Sequence, residues 1–435
     1  MLRMNKGSLA VLVPTLMIVA LAGYFGEVGR DSEAAAQAAT DAETQAVASA
    51  TTAFLNSLGA DQRQKVQFSF TPQKTATAAT FARTGRGGPP QGAGLGGPGG
   101  RGGADGRGPG GPGGGGPPGG QQPGQGPNDR GGPGRGPGGQ GMGPGGGFVG
   151  EQYGQAVWSN YPVSDVPRPG LRLGSLTAAQ HDAAMHLLQV LLSPKGYQKV
   201  LDIMGSDQAL HDSGQPFDSG AAVYTIGIFG APSTTTPWML EFGGHHLALN
   251  ITIMGAHGVS TPTLTGAQPA VYSANGKTVR VLAGENDKAF ALLDALDANQ
   301  RKQAILNYRV DDLVLGPGHA GETIQPEGLK VSAMSDRQRA MLLDVISEWA
   351  TIVNDAYSAP RMAEIKAGLD DTYFAWSGPT THEPDKNGSS YYRIQGPKLV
   401  IEFSPQGVGG DSTMHVHTMY RDPTNDYGVR FTLPQ

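Results

Sequence analysis

The sequence predicts an α+β fold: a single domain in which helices flank a mostly antiparallel sheet and a long glycine-rich insertion interrupts the chain. Three observations predict it. Short strand-like segments gather towards the C-terminal half with helical segments grouped on either side, unlike the alternation of a doubly wound parallel sheet. One helix-start phrase occurs four times, as Leu58-Gly-Ala-Asp-Gln62-Arg63, Leu176-Thr-Ala-Ala-Gln180, Leu296-Asp-Ala-Asn-Gln300-Arg301 and Met334-Ser-Asp-Arg-Gln338-Arg339. Its first copy precedes the glycine tract and the other three follow it, so the tract is expected to lie inside one domain.

Residues 1–22 have the layout of a signal peptide: Arg3 and Lys6, an apolar run from Leu9 to Ala22, and Ala20-Leu21-Ala22 as a cleavage site. The run continues through Tyr24 and Phe25, so an uncleaved N-terminal anchor is the alternative. Either way the chain is expected outside the cytoplasm, secreted or periplasmic. Residues 40–83 read as the first helices of the main domain, an amphipathic helix pair that includes the apolar Ala53, Phe54, Leu55 and Leu58. Residues 84–147 are almost pure Gly, Pro, Gln and Arg and contain no aromatic side chain. Such a tract cannot bury enough surface to offset its ordering entropy, so it is expected to be disordered. The remainder of the main domain is expected over 148–435.

Apolar residues at helical spacing predict helices over Thr177–Leu192, Tyr197–Leu210, Glu285–Leu296, Ala298–Leu306, Ser335–Tyr357 and Ala359–Leu369. In three copies of the recurrent phrase Thr177, Asp297 or Ser335 stands three residues before Gln180, Gln300 or Gln338, the spacing of a capping box, and the preceding Leu or Met suits a hydrophobic staple. Strands are predicted over Ala222–Phe229, Trp238–Phe242, His245–Met254, Thr278–Leu282, Ser390–Gln395, Leu399–Ser404 and Ser412–Tyr420.

Composition excludes several function classes. Net charge is −5 and the pI about 6.1, so the molecule carries no basic footprint for nucleic acid. The three Arg-Gly-Gly triplets of the tract are diluted by Asp105 and Asp129. Membrane contact is expected only through an uncleaved N-terminal segment. With no cysteine, disulfides, thiolate nucleophiles and thiolate metal sites are absent together. No dinucleotide fingerprint or phosphate-binding loop occurs in a usable context, so no nucleotide cofactor is expected.

Four of the ten histidines fall in two short segments, Gly243–Asn250 and Lys398–Gly428. His415 and His417 stand two apart in a strand-like stretch, so both imidazoles leave one face. In the segment from His245, Leu247, Leu249, Ile251 and Ile253 form an apolar face, leaving His246, Asn250 and Thr252 on the other. Glu402 likewise opposes Leu399, Ile401 and Phe403. If these polar faces meet, His246, His415, His417 and Glu402 make a His/His/His/carboxylate site suited to zinc, iron, copper or manganese. Glu402, Arg421 and Asp422 are the candidate catalytic residues. His245, Asn250, Arg393 and Tyr427 are candidate substrate contacts. The competing reading is a satisfied hydrogen-bond network, with Arg421-Asp-Pro-Thr-Asn-Asp426 serving as turn chemistry.

The stretches PWMLEFGGHHLALNITIMG, PTLTGAQPA, AWSG, YYRIQGPKLVIEF and HVHTMYRDPTNDYG resemble those of an uncharacterised family of exported bacterial and fungal proteins known only as a domain of unknown function. The resemblance runs from about Thr40 to Gly428 without the glycine tract and implies no activity. Two functions remain open on the residues. One is an extracytoplasmic metal-dependent enzyme, hydrolytic in preference to oxidative, acting on a small molecule or polymer. The other is a non-catalytic ligand-binding or surface module whose His/Glu/Arg face is structural.

Overall fold

A computed structural model describes residues 37–82 and 147–434. The expected signal segment, and the glycine tract apart from Gly147, lie outside the described residues. The fold is α+β, with a large, mostly antiparallel sheet of twelve strands. Eight strands form its body: β1 (Thr225–Phe229), β2 (Trp238–Gly244), β3 (Leu247–Met254), β4 (Thr263–Ala267), β5 (Tyr373–Ser377), β6 (Tyr391–Gly396), β7 (Leu399–Pro405) and β8 (Val416–Arg421). They lie in the order β1-β2-β3-β4-β8-β7-β6-β5, each antiparallel to its neighbours.

This order is that of one unit present twice. Each copy starts with a helix pair, residues 37–57 (α1) and Ala60–Val66 (α2), or Ala283–Ala295 (α5) and Ala298–Ala304 (α6). A parallel edge contact follows, Gln67 with Ile228 in one copy and Ile305 with Trp376 in the other. Next come a two-residue strand and a 3-10 turn, Leu171–Arg172 with Leu173–Ser175 or Leu329–Lys330 with Val331–Ala333. A second helix pair is then Ala178–Leu191 (α3) and Pro194–Asp212 (α4), or Asp336–Ala350 (α7) and Asp355–Ala367 (α8). Four antiparallel strands complete each copy, and the last ones, β4 and β8, pair with each other at the centre.

The recurrent phrase marks this duplication. Capping boxes form at Thr177/Gln180, Asp297/Gln300 and Ser335/Gln338. At the first copy Gly59 has no side-chain oxygen, so only the reciprocal half of the box forms, Gln62 Oε1 accepting the Gly59 amide. Within each copy the two glutamines also bond each other: Gln62 with Gln180 at 2.9 and 3.1 Å, and Gln300 with Gln338 at 2.8 and 3.1 Å. Each box therefore starts its own helix and joins it to the partner helix start.

The structure departs from the expected elements in several places, among them β5, which was not expected, and the three that follow. The helix expected over Ser335–Tyr357 is two helices, because the Leu191–Ser193 and Ile352–Asn354 segments exchange backbone bonds of 3.0 and 3.1 Å. The β-branched run Thr351-Ile352-Val353 favours that extended path. The strand expected from His245 starts at Leu247, with His245 and His246 forming the β2–β3 turn. The central strand β4 was not expected at all, since Pro262 and Gly266 interrupt its sequence pattern.

Strand alternation sends Leu247, Leu249, Ile251, Leu399, Ile401 and Phe403 into the main core with the helices. The other face carries Glu241, Asn250, Arg393, Glu402, His417 and Arg421 and is buried as well. Parts of the connecting segments cover it, Trp158 and Leu313 packing on Ala248, Leu264 and Met419.

Gln338→Ala removes a side chain that bonds Ala295 O, Gln300 and the Ser335 amide. Its expected cost is about 1–3 kcal/mol. The exposed Gln303→Ala should stay within about 0.5 kcal/mol. Urea denaturation of the two variants checks both.

Candidate metal centre

The β2–β3 turn and the start of β8 bring three imidazoles together. His246 adopts the left-handed region at φ 62°, which turns its ring back over the sheet end. Its Nε2 lies 3.0 Å from His415 Nε2, which lies 3.1 Å from His417 Nε2. An ion about 2.0–2.1 Å from each nitrogen spaces its ligands about 2.9 Å apart at a right angle and about 3.4 Å at the tetrahedral angle. Both separations fall in that window. Among the described residues, His246, His415 and His417 form one group that could hold a metal ion, and Asp207, His245 and His246 form another.

The surroundings orient these rings. His415 Nδ1 donates to the Val408 carbonyl at 3.0 Å, so the neutral ring carries its only lone pair on Nε2. His417 Nδ1 lies 3.3 Å from the Asn160 amide nitrogen and 3.9 Å from Asp312 Oδ1. Burial works to raise the Asp312 carboxyl, yet His417 and the Leu313 amide together hold it below its ordinary value. Burial, reinforced by the neighbouring histidines, pushes His246 and His415 well below the ordinary imidazole range. Gly266 makes room for the cluster, since a Cβ there would come within 3.3 Å of the His246 ring.

The other expected site residues lie elsewhere in the buried polar layer. Glu402 does not complete a four-ligand set: its carboxylate accepts the Val314 and Leu315 amides at 2.8 Å and the Tyr391 hydroxyl at 2.6 Å. Arg393 donates to Tyr391 Oη at 3.2 Å and Glu327 at 2.9 Å. Arg421, fully buried, is held by Glu151 at 2.5 Å, Asp426 at 2.9 Å and the carbonyls of Leu315 and Gly316. Burial pushes the Asp426 carboxyl up to about 7 against the pull of Arg421. Tyr427 donates to Glu151 at 2.6 Å, and Asn250 donates to Pro262 O at 3.0 Å. Asp422 accepts the Thr424 amide and hydroxyl and pairs with Arg361 at 2.8 Å, which is the turn chemistry of its sequence.

Three partners of the cluster were absent from the expected set: Asp207, Asp312 and Asn160. Asp207 had a legible signal, an acid in the stripe of Val200, Ile203 and Met204 on the buried side of α4. Asp312 and Asn160 come from loops distant in sequence and carried none. A groove of about 240 Å³ reaches His415 and is lined by Leu210, Gln268, Pro269, Val408, Asp411 and Met414 among others.

Two outcomes follow. Removing Arg421 strands Glu151 and Asp426 in the interior, so Arg421→Met should cost about 3–5 kcal/mol in chemical denaturation. His246 and His415 stay neutral when folded but gain protons near pH 6.5 when unfolded. Their contribution to metal-free stability is thus present above about pH 6.5 and is lost as pH falls towards the depressed folded values. Melting temperature measured between pH 7 and 5 should fall more steeply for the parent than for a His246→Gln, His415→Gln variant.

No helix among the described residues is long and apolar enough to cross a membrane. Comparison with curated proteins and with solved structures finds no match. The family model for proteins of unknown function DUF3500 matches residues 150–429, and the chain belongs to that family.

Proposed function

We propose that His246, His415 and His417 bind one divalent transition-metal ion and that the protein is an exported metal-dependent enzyme, hydrolytic in preference to oxidative. The observation that carries this reading is the position of His415. Its Nδ1–H is committed to Val408, and its single Nε2 lone pair faces two other imidazole nitrogens at 3.0 and 3.1 Å. One lone pair cannot serve two such neighbours well as a hydrogen-bond acceptor, whereas a shared cation uses a lone pair from each ring. In the tautomer that carries its proton on Nδ1, beside Asp312, His417 offers its Nε2 in the same way.

Three protein ligands also suit catalysis better than a closed structural site, which takes four. An imidazole-only set favours zinc, copper or iron over manganese, which prefers oxygen donors. Such an ion, held by neutral ligands, would bring the pKa of a coordinated water near neutrality. The groove beside His415 has apolar walls at Leu210, Pro269, Val408 and Met414 and no lysine or arginine, so it suits an uncharged group better than an anion. Arg421, enclosed by its own partners, is not available to steer one. Export rests on the N-terminal apolar segment that follows Arg3 and Lys6.

Burial favours the non-catalytic alternative. His246, His415 and His417 are only 1%, 6% and 7% exposed, as ligands of a structural ion would be. Elemental analysis and reconstitution decide the first step: one zinc, copper or iron per chain is expected, lost in His415→Ala, His417→Ala and retained in Glu402→Gln. A parent protein that stays metal-free after reconstitution with each ion overturns the metal reading. Hydrolysis of uncharged ester and amide probes by the loaded protein, absent from the double variant, then separates enzyme from binding module.

A further inference from the structure

Resting on the metal reading above, we propose that Asp207 and His245 are positioning residues that fix the His246 imidazole for its ion. His246 is the one ligand of the three without a polar anchor of its own. His415 is tied to Val408 O, and His417 faces Asn160 and Asp312, whereas His246 Nδ1 meets no hydrogen-bond partner among the described residues. Its backbone is also in the left-handed region, which a non-glycine residue occupies only where its surroundings enforce it.

The ring is instead held by contact. His245 stacks on it with centroids 3.6 Å apart and planes 29° apart, and the bare backbone of Gly266 lies against it. His245 is anchored in turn. Its Nδ1 lies 2.9 Å from Asp207 Oδ1, its carbonyl accepts the Tyr224 hydroxyl at 2.8 Å, and Phe217 meets its ring edge-on. The other Asp207 oxygen accepts the Gly220 amide at 2.8 Å, so the carboxylate is fixed at both ends and is nearly fully buried. Orientation therefore passes from α4 through Asp207 and His245 to the ligand. A hydrogen bond between Asp207 and Nδ1 needs the proton on that nitrogen, which leaves no lone pair there for a second ion.

The test is Co(II) titration of the full chain, followed by visible absorption, for the parent, Asp207→Asn and His245→Phe. The parent should take one Co(II). Both variants should still take one, with affinity reduced about 10–100-fold and altered absorption bands, as when the partner of a metal-bound imidazole is removed. Circular dichroism should remain that of the parent. His245→Phe keeps a flat ring over His246 without the bond to Asp207, so it carries the test if Asp207→Asn fails to fold.

Parent-like affinity and bands in both variants overturn the proposal, as does binding of two ions per chain. A parent that takes no Co(II) overturns the metal reading instead. The orienting role is then read from the His246 ring resonances of the metal-free protein: shifts in either variant support it, and unchanged resonances in both overturn it.

Discussion

Arg421 is fully buried, and a guanidinium in that position must find a partner for every N–H it carries. It finds them in Glu151, Asp426, Leu315 O and Gly316 O, which belong to three distant parts of the chain. Glu402, on the neighbouring strand β7 and the same face, anchors the Val314 and Leu315 amides. The layer over the polar side of the sheet is therefore held by charge satisfied through backbone groups. That layer also delivers Asn160 and Asp312 to His417, so the environment of the histidine cluster depends on the same anchoring.

Local rules carried much of this structure. The capping boxes at Thr177, Asp297 and Ser335 were legible because their partners lie within four residues. Alternation placed His415 and His417 on one face, whereas His246 is set by the left-handed β2–β3 turn and not by alternation. The α+β class followed from the grouping of the same segments.

What was not legible depends on distance in the chain. Glu402 looked like a free acid on a half-buried strand because nothing near it announces the amides of Val314 and Leu315. Arg421 looked like a catalytic residue for the same reason, its main partner Glu151 lying 270 residues earlier. Strand β4 escaped because proline and glycine break its pattern, although its pairing with β8 supplies the continuity that a strand of weak propensity lacks.

The doubling of the fold gives the cluster an uneven ancestry within the chain. His246 comes from the turn closing a hairpin of the first copy, and His415 and His417 come from the approach to the last strand of the second. The matching hairpin of the second copy, between β6 and β7, turns through Pro397 and Lys398, where Lys398 pairs with Glu364 beside Arg361 and Asp422. Equivalent corners of one frame thus hold imidazoles in one case and a salt-bridge cluster in the other. Neither half alone contains the three histidines, so the site is a property of the seam. An ion bound there would act as a rivet between the halves, and losing it would loosen their union before it disturbed either half.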